Sequence, residues 1–130
     1  MIVADTDVLI DFLRGREPLA DRVDRELSTG ALATTAVTAF ELRSGARSEQ
    51  ESEVVDTLLG ALQLLPLDAA AASRAAEVRR GLEADGKPIG MANYLIAGVC
   101  LARSAVLLTR NRDHFERVPD LALARVTEEG

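Results

Sequence analysis

Three carboxylates occupy positions that solubility does not explain. Asp5 ends the apolar run Met1-Ile2-Val3-Ala4, and Glu41 sits inside Ala36-Val37-Thr38-Ala39-Phe40-Glu41-Leu42. Asp113 follows Ala105-Val106-Leu107-Leu108-Thr109 by a few residues. An acid that ends or interrupts an apolar segment is costly unless it is paired or bound to a cation. Scattered along one small chain, the three read as oxygen ligands of a hard divalent ion, Mg²⁺ or Mn²⁺. Asn93, in Ile89-Gly90-Met91-Ala92-Asn93-Tyr94, would be a fourth member with one charge removed. A pair of such ions can orient a water for in-line attack on a phosphodiester and stabilise the leaving oxygen.

Each of these residues also has a plainer reading. Asp5 could cap the turn that follows it, and Asp7 reads as a helix cap. Asp11 reads as an exposed helix residue. Glu41 follows Thr38 at capping-box spacing, although the helix is expected to begin before Thr38. Asp113 could cap a short turn with Asn111, and Asn93 could be an amide in a first helical turn. Thr6 and Thr109 could hydrogen-bond a carboxylate or merely satisfy local backbone. His114 is the only histidine, but a metal-activated water needs none. Arg43, Arg47, Arg110 and Arg112 adjoin the acids in sequence. They are candidate phosphate contacts or else solvated surface.

The elements that must position these groups alternate between short apolar runs and longer segments of helical period, the pattern of an α/β domain with a parallel sheet. Ile2–Ala4 reads as a strand, followed by a helix over Asp7–Arg14 that stops at Gly15. A second helix is expected over Glu17–Leu27, a weak strand over Ala31–Thr34 and a helix from Ala36 to about Ala46. Glu51–Leu62 is amphipathic through Val54, Val55, Leu58, Leu59 and Leu62. Leu64–Leu67 is a short strand or extended link. Asp68 looks like the N-cap of an Ala-rich helix reaching about Leu82. Gly90–Arg103 is apolar nearly all round and so a buried helix. Val106–Thr109 reads as a central strand and Leu121–Val126 as an edge strand. The expectation is one three-layer α/β/α domain over residues 1–130, its central sheet mostly parallel. Asp5 and the Asp113 segment would then meet at the carboxyl edge of that sheet, where such folds collect ligands.

Bulk properties narrow the function. The 130 residues are 48% hydrophobic and 28% charged, ordinary for a folded soluble protein. No apolar run approaches the roughly 20 residues needed to span a bilayer. The acids Asp5, Asp7 and Asp11 interrupt what would be a signal peptide. A cytoplasmic location without membrane partner is the expectation. One cysteine, Cys100, and one histidine exclude an internal disulfide and zinc-finger sites. A net charge of −6 argues against a nucleic-acid coating protein. It leaves a nuclease open, because metal-holding acids supply much of that charge.

Four segments resemble PIN domains. They are Val3-Ala4-Asp5-Thr6-Asp7-Val8-Leu9-Ile10, Thr38-Ala39-Phe40-Glu41-Leu42-Arg43-Ser44-Gly45, Pro88–Ala97, and Thr109-Arg110-Asn111-Arg112-Asp113-His114-Phe115-Glu116-Arg117-Val118. No single motif is specific, but all four occur in order across nearly the whole chain. The resemblance is greatest to the VapC-type toxins of bacterial toxin–antitoxin pairs. It implies a Mg²⁺- or Mn²⁺-dependent endoribonuclease cleaving structured RNA such as tRNA or rRNA. It further implies a homodimer and a cognate antitoxin whose tail blocks the site. By carry-over, Asp5, Glu41, position 93 and Asp113 are the catalytic metal ligands, supported by the hydroxyls of Thr6 and Thr109.

Asn93 departs from that pattern, in which aspartate is expected. An amide keeps one carbonyl ligand but loses the charge, so this chain is expected to have low activity. Two other readings remain open. One is a catalytically degenerate PIN domain serving only as a binding module. The other is a haloacid-dehalogenase-type phosphatase, whose nucleophile motif Asp5-Thr6-Asp7-Val8 meets. Against the phosphatase stand the short chain and the position of the only lysine, Lys87.

Overall fold

The computed structural model describes residues 1–127. Along the chain run β1 (Ile2–Ala4), α1 (Thr6–Leu13), α2 (Leu19–Ser28), β2 (Ala33–Thr35), α3 (Ala36–Gly45) and α4 (Glu49–Gly60). There follow β3 (Gln63–Leu65), α5 (Ala69–Ala84), α6 (Met91–Ala102), β4 (Val106–Leu108), α7 (Arg112–Phe115) and β5 (Ala122–Leu123). The strands form one sheet of order β3-β2-β1-β4-β5, with every pairing parallel.

Period-two alternation sends successive side chains to opposite faces. Val3 and Leu107 enter the core beneath α5 and α6, while Ala4 and Leu108 turn to the core formed with α1, α2, α3 and α4. The result is the expected three-layer α/β/α sandwich. The chain leaves β1 for β2 on one side, and β4 lies on the other. The crevice that ligands favour in such sheets therefore opens beyond the carboxyl ends of β1 and β4. Among the described residues, no helix is long and apolar enough to cross a membrane.

Strand limits differ from the sequence expectation for identifiable reasons. The segment expected at Ala31–Thr34 pairs instead at Ala33–Thr35, where Thr34 Oγ1 donates to Ala4 O of β1 at 2.7 Å. Thr35 then caps α3 by accepting from Thr38 N at 3.1 Å. The edge strand expected over Leu121–Val126 is only Ala122–Leu123. Beyond it, Arg112 donates to Ala124 O, and Arg22 donates to the carbonyls of Arg125 and Val126. Side chains take the carbonyls that a longer strand would have offered. Cys100 is fully buried, and burial pushes its thiol up to about 12, as suits a small hydrophobe.

Helices α5 and α6 pack at close range because Gly98 carries no side chain. A Cβ there would stand 2.5 Å from Ala71 O and 2.6 Å from Ala75 Cβ. At an exposed helical site, Gly→Ala would stabilise by up to about 1 kcal/mol. Here Gly98→Ala is expected instead to destabilise by about 2–3 kcal/mol through overpacking. A lowered urea midpoint at unchanged slope would match; a raised midpoint would disprove the close packing.

Candidate active site

The acids at the sheet rim are organised by hydroxyls. Asp5 follows β1 directly, its N–H donating to Leu108 O of β4 at 2.9 Å. Its Oδ1 accepts from Thr6 N at 2.8 Å, which makes it the N-cap of α1. Its Oδ2 accepts from Thr109 Oγ1 at 2.6 Å. Thr109 in turn accepts from Asn111 N at 2.9 Å, which fixes the turn between β4 and α7. Asp5 is therefore both cap and candidate ligand, the two roles using different oxygens.

Glu41, half-buried on α3, is held in the same way. Its Oε1 accepts from Thr6 Oγ1 at 2.6 Å, and Thr6 Oγ1 lies 3.0 Å from Thr38 Oγ1. A hydroxyl has one proton, and a carboxylate is the stronger acceptor. The chain of donors thus runs from Thr38 to Thr6 to Glu41. Thr38, fully buried, was considered in the sequence only as a capping residue. Its hidden role could have been suspected from a hydroxyl at i−3 to an acid on an otherwise apolar helix face.

Among the described residues, neither Asp5 nor Glu41 has an Arg or Lys partner. Burial raises the Asp5 carboxyl from 3.8 to about 6, the Asp7 charge adding to it and Glu41 contributing least. The hydrogen bonds from Thr109 and Thr6 N pull the other way. A carboxylate kept this unfavourable and without a counter-charge is chemically matched to a cation from solution.

Asn93 sits in the first turn of α6, a helix that leads into the start of β4 and packs against α3. Its Nδ2 donates to Ile89 O at 2.5 Å, turning the amide back on its own backbone. Asp113 lies in α7, exposed, just past the turn that Thr109 anchors. It makes no hydrogen bond or ion pair with Asp5, Glu41 or Asn93. Accordingly, no group of three His, Cys, Asp or Glu side chains is close enough to hold a metal among the described residues. The structure joins Asp5, Thr6, Glu41 and Thr109 in one network and leaves Asn93 and Asp113 outside it.

The remaining expectations divide. Asp11 is not exposed but buried, at 5% exposure, because α1 turns it inward toward Arg110, whose Nε lies 3.1 Å away. Asp7 is not the cap, a position Asp5 holds; it accepts from Arg110 N at 3.4 Å. Arg43 pairs with Asp56, and Arg112 with Glu116 at 3.6 Å.

A groove of about 450 Å³ begins at Glu41 and runs between α1, α3 and α4 past Ile10, Leu13 and Val54. It shares Leu13, Gln50 and Val54 with a second groove of about 610 Å³. Of the apolar stripe expected over Glu51–Leu62, Val55, Leu58 and Leu59 on α4 and Leu62 just beyond it are core, while Val54 is 51% exposed and lines both grooves.

The fold agrees with what comparison to known proteins finds. A family model described as "PIN domain" matches residues 2–121. The chain is 31% identical over 121 residues to the tRNA(fMet)-specific endonuclease VapC of Shigella flexneri, covering 90% of this chain and 91% of that one. It is 34% identical over 115 residues to Ribonuclease VapC10 of Mycobacterium tuberculosis, covering 88% and 86%. Its fold matches a chain in the crystal structure of Rickettsia felis VapBC2 bound to a promoter DNA fragment, with TM-score 0.85, 25% identity, and 95% and 98% coverage.

Proposed function

The chain belongs to the PIN-domain family, and from its likeness to VapC ribonucleases we propose that it is the toxin of a toxin–antitoxin pair, an endoribonuclease acting on structured RNA such as tRNA or rRNA. The observation that carries this reading is the hydroxyl-braced pair Asp5 and Glu41. These are two carboxylates at the sheet rim, one of them buried, with no cationic partner among the described residues.

Asp5 and Glu41 would hold a Mg²⁺ or Mn²⁺ ion with the Asn93 carbonyl, and Asp113 would join from the adjacent turn. All are hard oxygen donors suited to those ions. The chemistry such an ion supplies is orientation of a water in line with the phosphodiester and compensation of charge on the leaving oxygen. The protein's own part is to hold the ligands still. Thr109 holds Oδ2 of Asp5, Thr6 N holds its Oδ1, and the Thr6 hydroxyl holds Oε1 of Glu41, each bond using one lone pair of an oxygen that has two. Arg43 and Arg112 pair at partly exposed positions, where an ion pair is worth about 0–1 kcal/mol and an RNA phosphate can replace it.

The partner is a cognate antitoxin. Its tail would lie in the groove that starts at Glu41, with apolar residues against Leu13 and Val54 and an Arg or Lys at the acids. A homodimer working in the cytoplasm completes the reading. The phosphatase alternative gains nothing from relatives named as ribonucleases. The degenerate binding module is favoured by Asn93 alone.

The test is cleavage of total tRNA and rRNA by the purified chain in Mn²⁺. Weak cleavage is expected, abolished by chelator and by Glu41→Gln. Cleavage that survives both treatments would defeat the metal-site reading.

A further inference from the structure

Two acids of α1 lie outside the proposed metal site, and both grip one residue of the β4–α7 turn. Arg110 N donates to Asp7 Oδ1 at 3.4 Å, and Arg110 Nε stands 3.1 Å from Asp11 Oδ2. The side chains differ sharply in exposure, 51% for Arg110 and 7% for Asp11. The other oxygen of Asp11, Oδ1, is buried without a hydrogen-bond partner among the described residues. An ion pair between a buried carboxylate with an unsatisfied oxygen and a half-exposed guanidinium is a poor source of stability. What it does provide is a fixed direction.

That direction matters because of the neighbours of Arg110. One residue earlier, Thr109 donates to Asp5; one residue later, Asn111 N closes the turn on Thr109 Oγ1. Then α7 begins, carrying Asp113. We propose that Asp11, acting through Arg110, is a positioning residue for the metal site, fixing the turn that sets Thr109 on Asp5 and controls the approach of Asp113. This rests on the ribonuclease reading above. Helix α1 then references both halves of the site, Asp5 at its N-cap and the Asp113 turn through Asp11. Fully buried Val8 and Leu9 anchor the helix itself in the core. It follows that Arg110 is not chiefly a phosphate contact. A phosphate taking its guanidinium would leave the charge of Asp11 buried and uncompensated.

The experiment compares Asp11→Asn, Arg110→Gln and the double variant, by Mn²⁺ calorimetry and by amide hydrogen exchange in chelator. Each single change is expected to weaken Mn²⁺ binding by about tenfold or more, as removal of a ligand-orienting partner does. The double variant should be no weaker than either single one, since the two residues act as one unit. Exchange should quicken at Arg110 and Asn111 but not at Asp5 or Ala124, whose amides bond to Leu108 O and Leu107 O. Additive losses overturn the proposal. So does unchanged exchange at Asn111, and so does a higher KM for RNA on Arg110→Gln with Asp11→Asn silent. If the parent chain binds no Mn²⁺, the metal reading fails by itself, and the exchange pattern alone decides whether Asp11 holds the turn.

Discussion

Replacing Asn93 by aspartate is expected to raise Mn²⁺-dependent RNA cleavage by at least about 100-fold, or roughly 3 kcal/mol of barrier. The amide uses its Nδ2 to donate to Ile89 O. A carboxylate has no such proton and would be repelled by that carbonyl. Asn93→Asp therefore loses its hold on the segment before α6, and its carboxylate is released from that carbonyl to serve a cation. It adds the missing negative charge to a site built for a doubly charged ion. Asn93→Asp combined with Asp5→Ala should be inactive again. No gain against total tRNA and rRNA would move the binding-module reading ahead of the nuclease.

A large effect is also expected from pH on the metal-free protein. The Asp5 carboxyl titrates at 3.8 when unperturbed and about 6 in the fold, chiefly because it is buried. Between those values the native state keeps a proton that the unfolded chain has released. Stability must therefore fall as pH rises through this window, by on the order of 3 kcal/mol from this group. Burial raises Asp7 as well, which acts in the same direction. Urea unfolding in chelator from pH 4 to 7.5 should show the loss, and Asp5→Asn should remove most of it. At pH 7.5, millimolar Mn²⁺ should restore stability by mass action, since it binds the deprotonated form. Equal pH slopes for the parent chain and Asp5→Asn would show that Asp5 is not the group responsible.

The sequence made the layers and the place of Asp5 readable because both follow from local rules. Apolar alternation reports which side of a sheet each residue meets, and an acid ending an apolar run announces a strand terminus. The Asp68 cap was equally readable, its Oδ1 accepting from Ala71 N at 3.0 Å. Asp11 was not. Its burial depends on a partner 99 positions away, Arg110, that no periodicity along α1 reveals. Nor was the orientation of the Asn93 amide, which is decided by a carbonyl one turn earlier. The tertiary use of Thr38 was hidden for a related reason: a threonine that bonds its neighbour's cap looks the same in sequence as one that also braces a distant acid.

The strand order carries one more consequence, for the time at which the site comes into being. Strands β1 and β4 lie side by side although a long stretch of chain separates Val3 from its partner Leu107. Asp5 can meet Thr109 only after the ribosome has released all of the chain between them. A nascent chain still lacking β4 therefore has Asp5 and Glu41 but no Thr109 to brace Asp5 at the sheet edge. On the ribonuclease reading proposed above, the site stays unbraced until β4 has emerged, which is an interval set by topology alone.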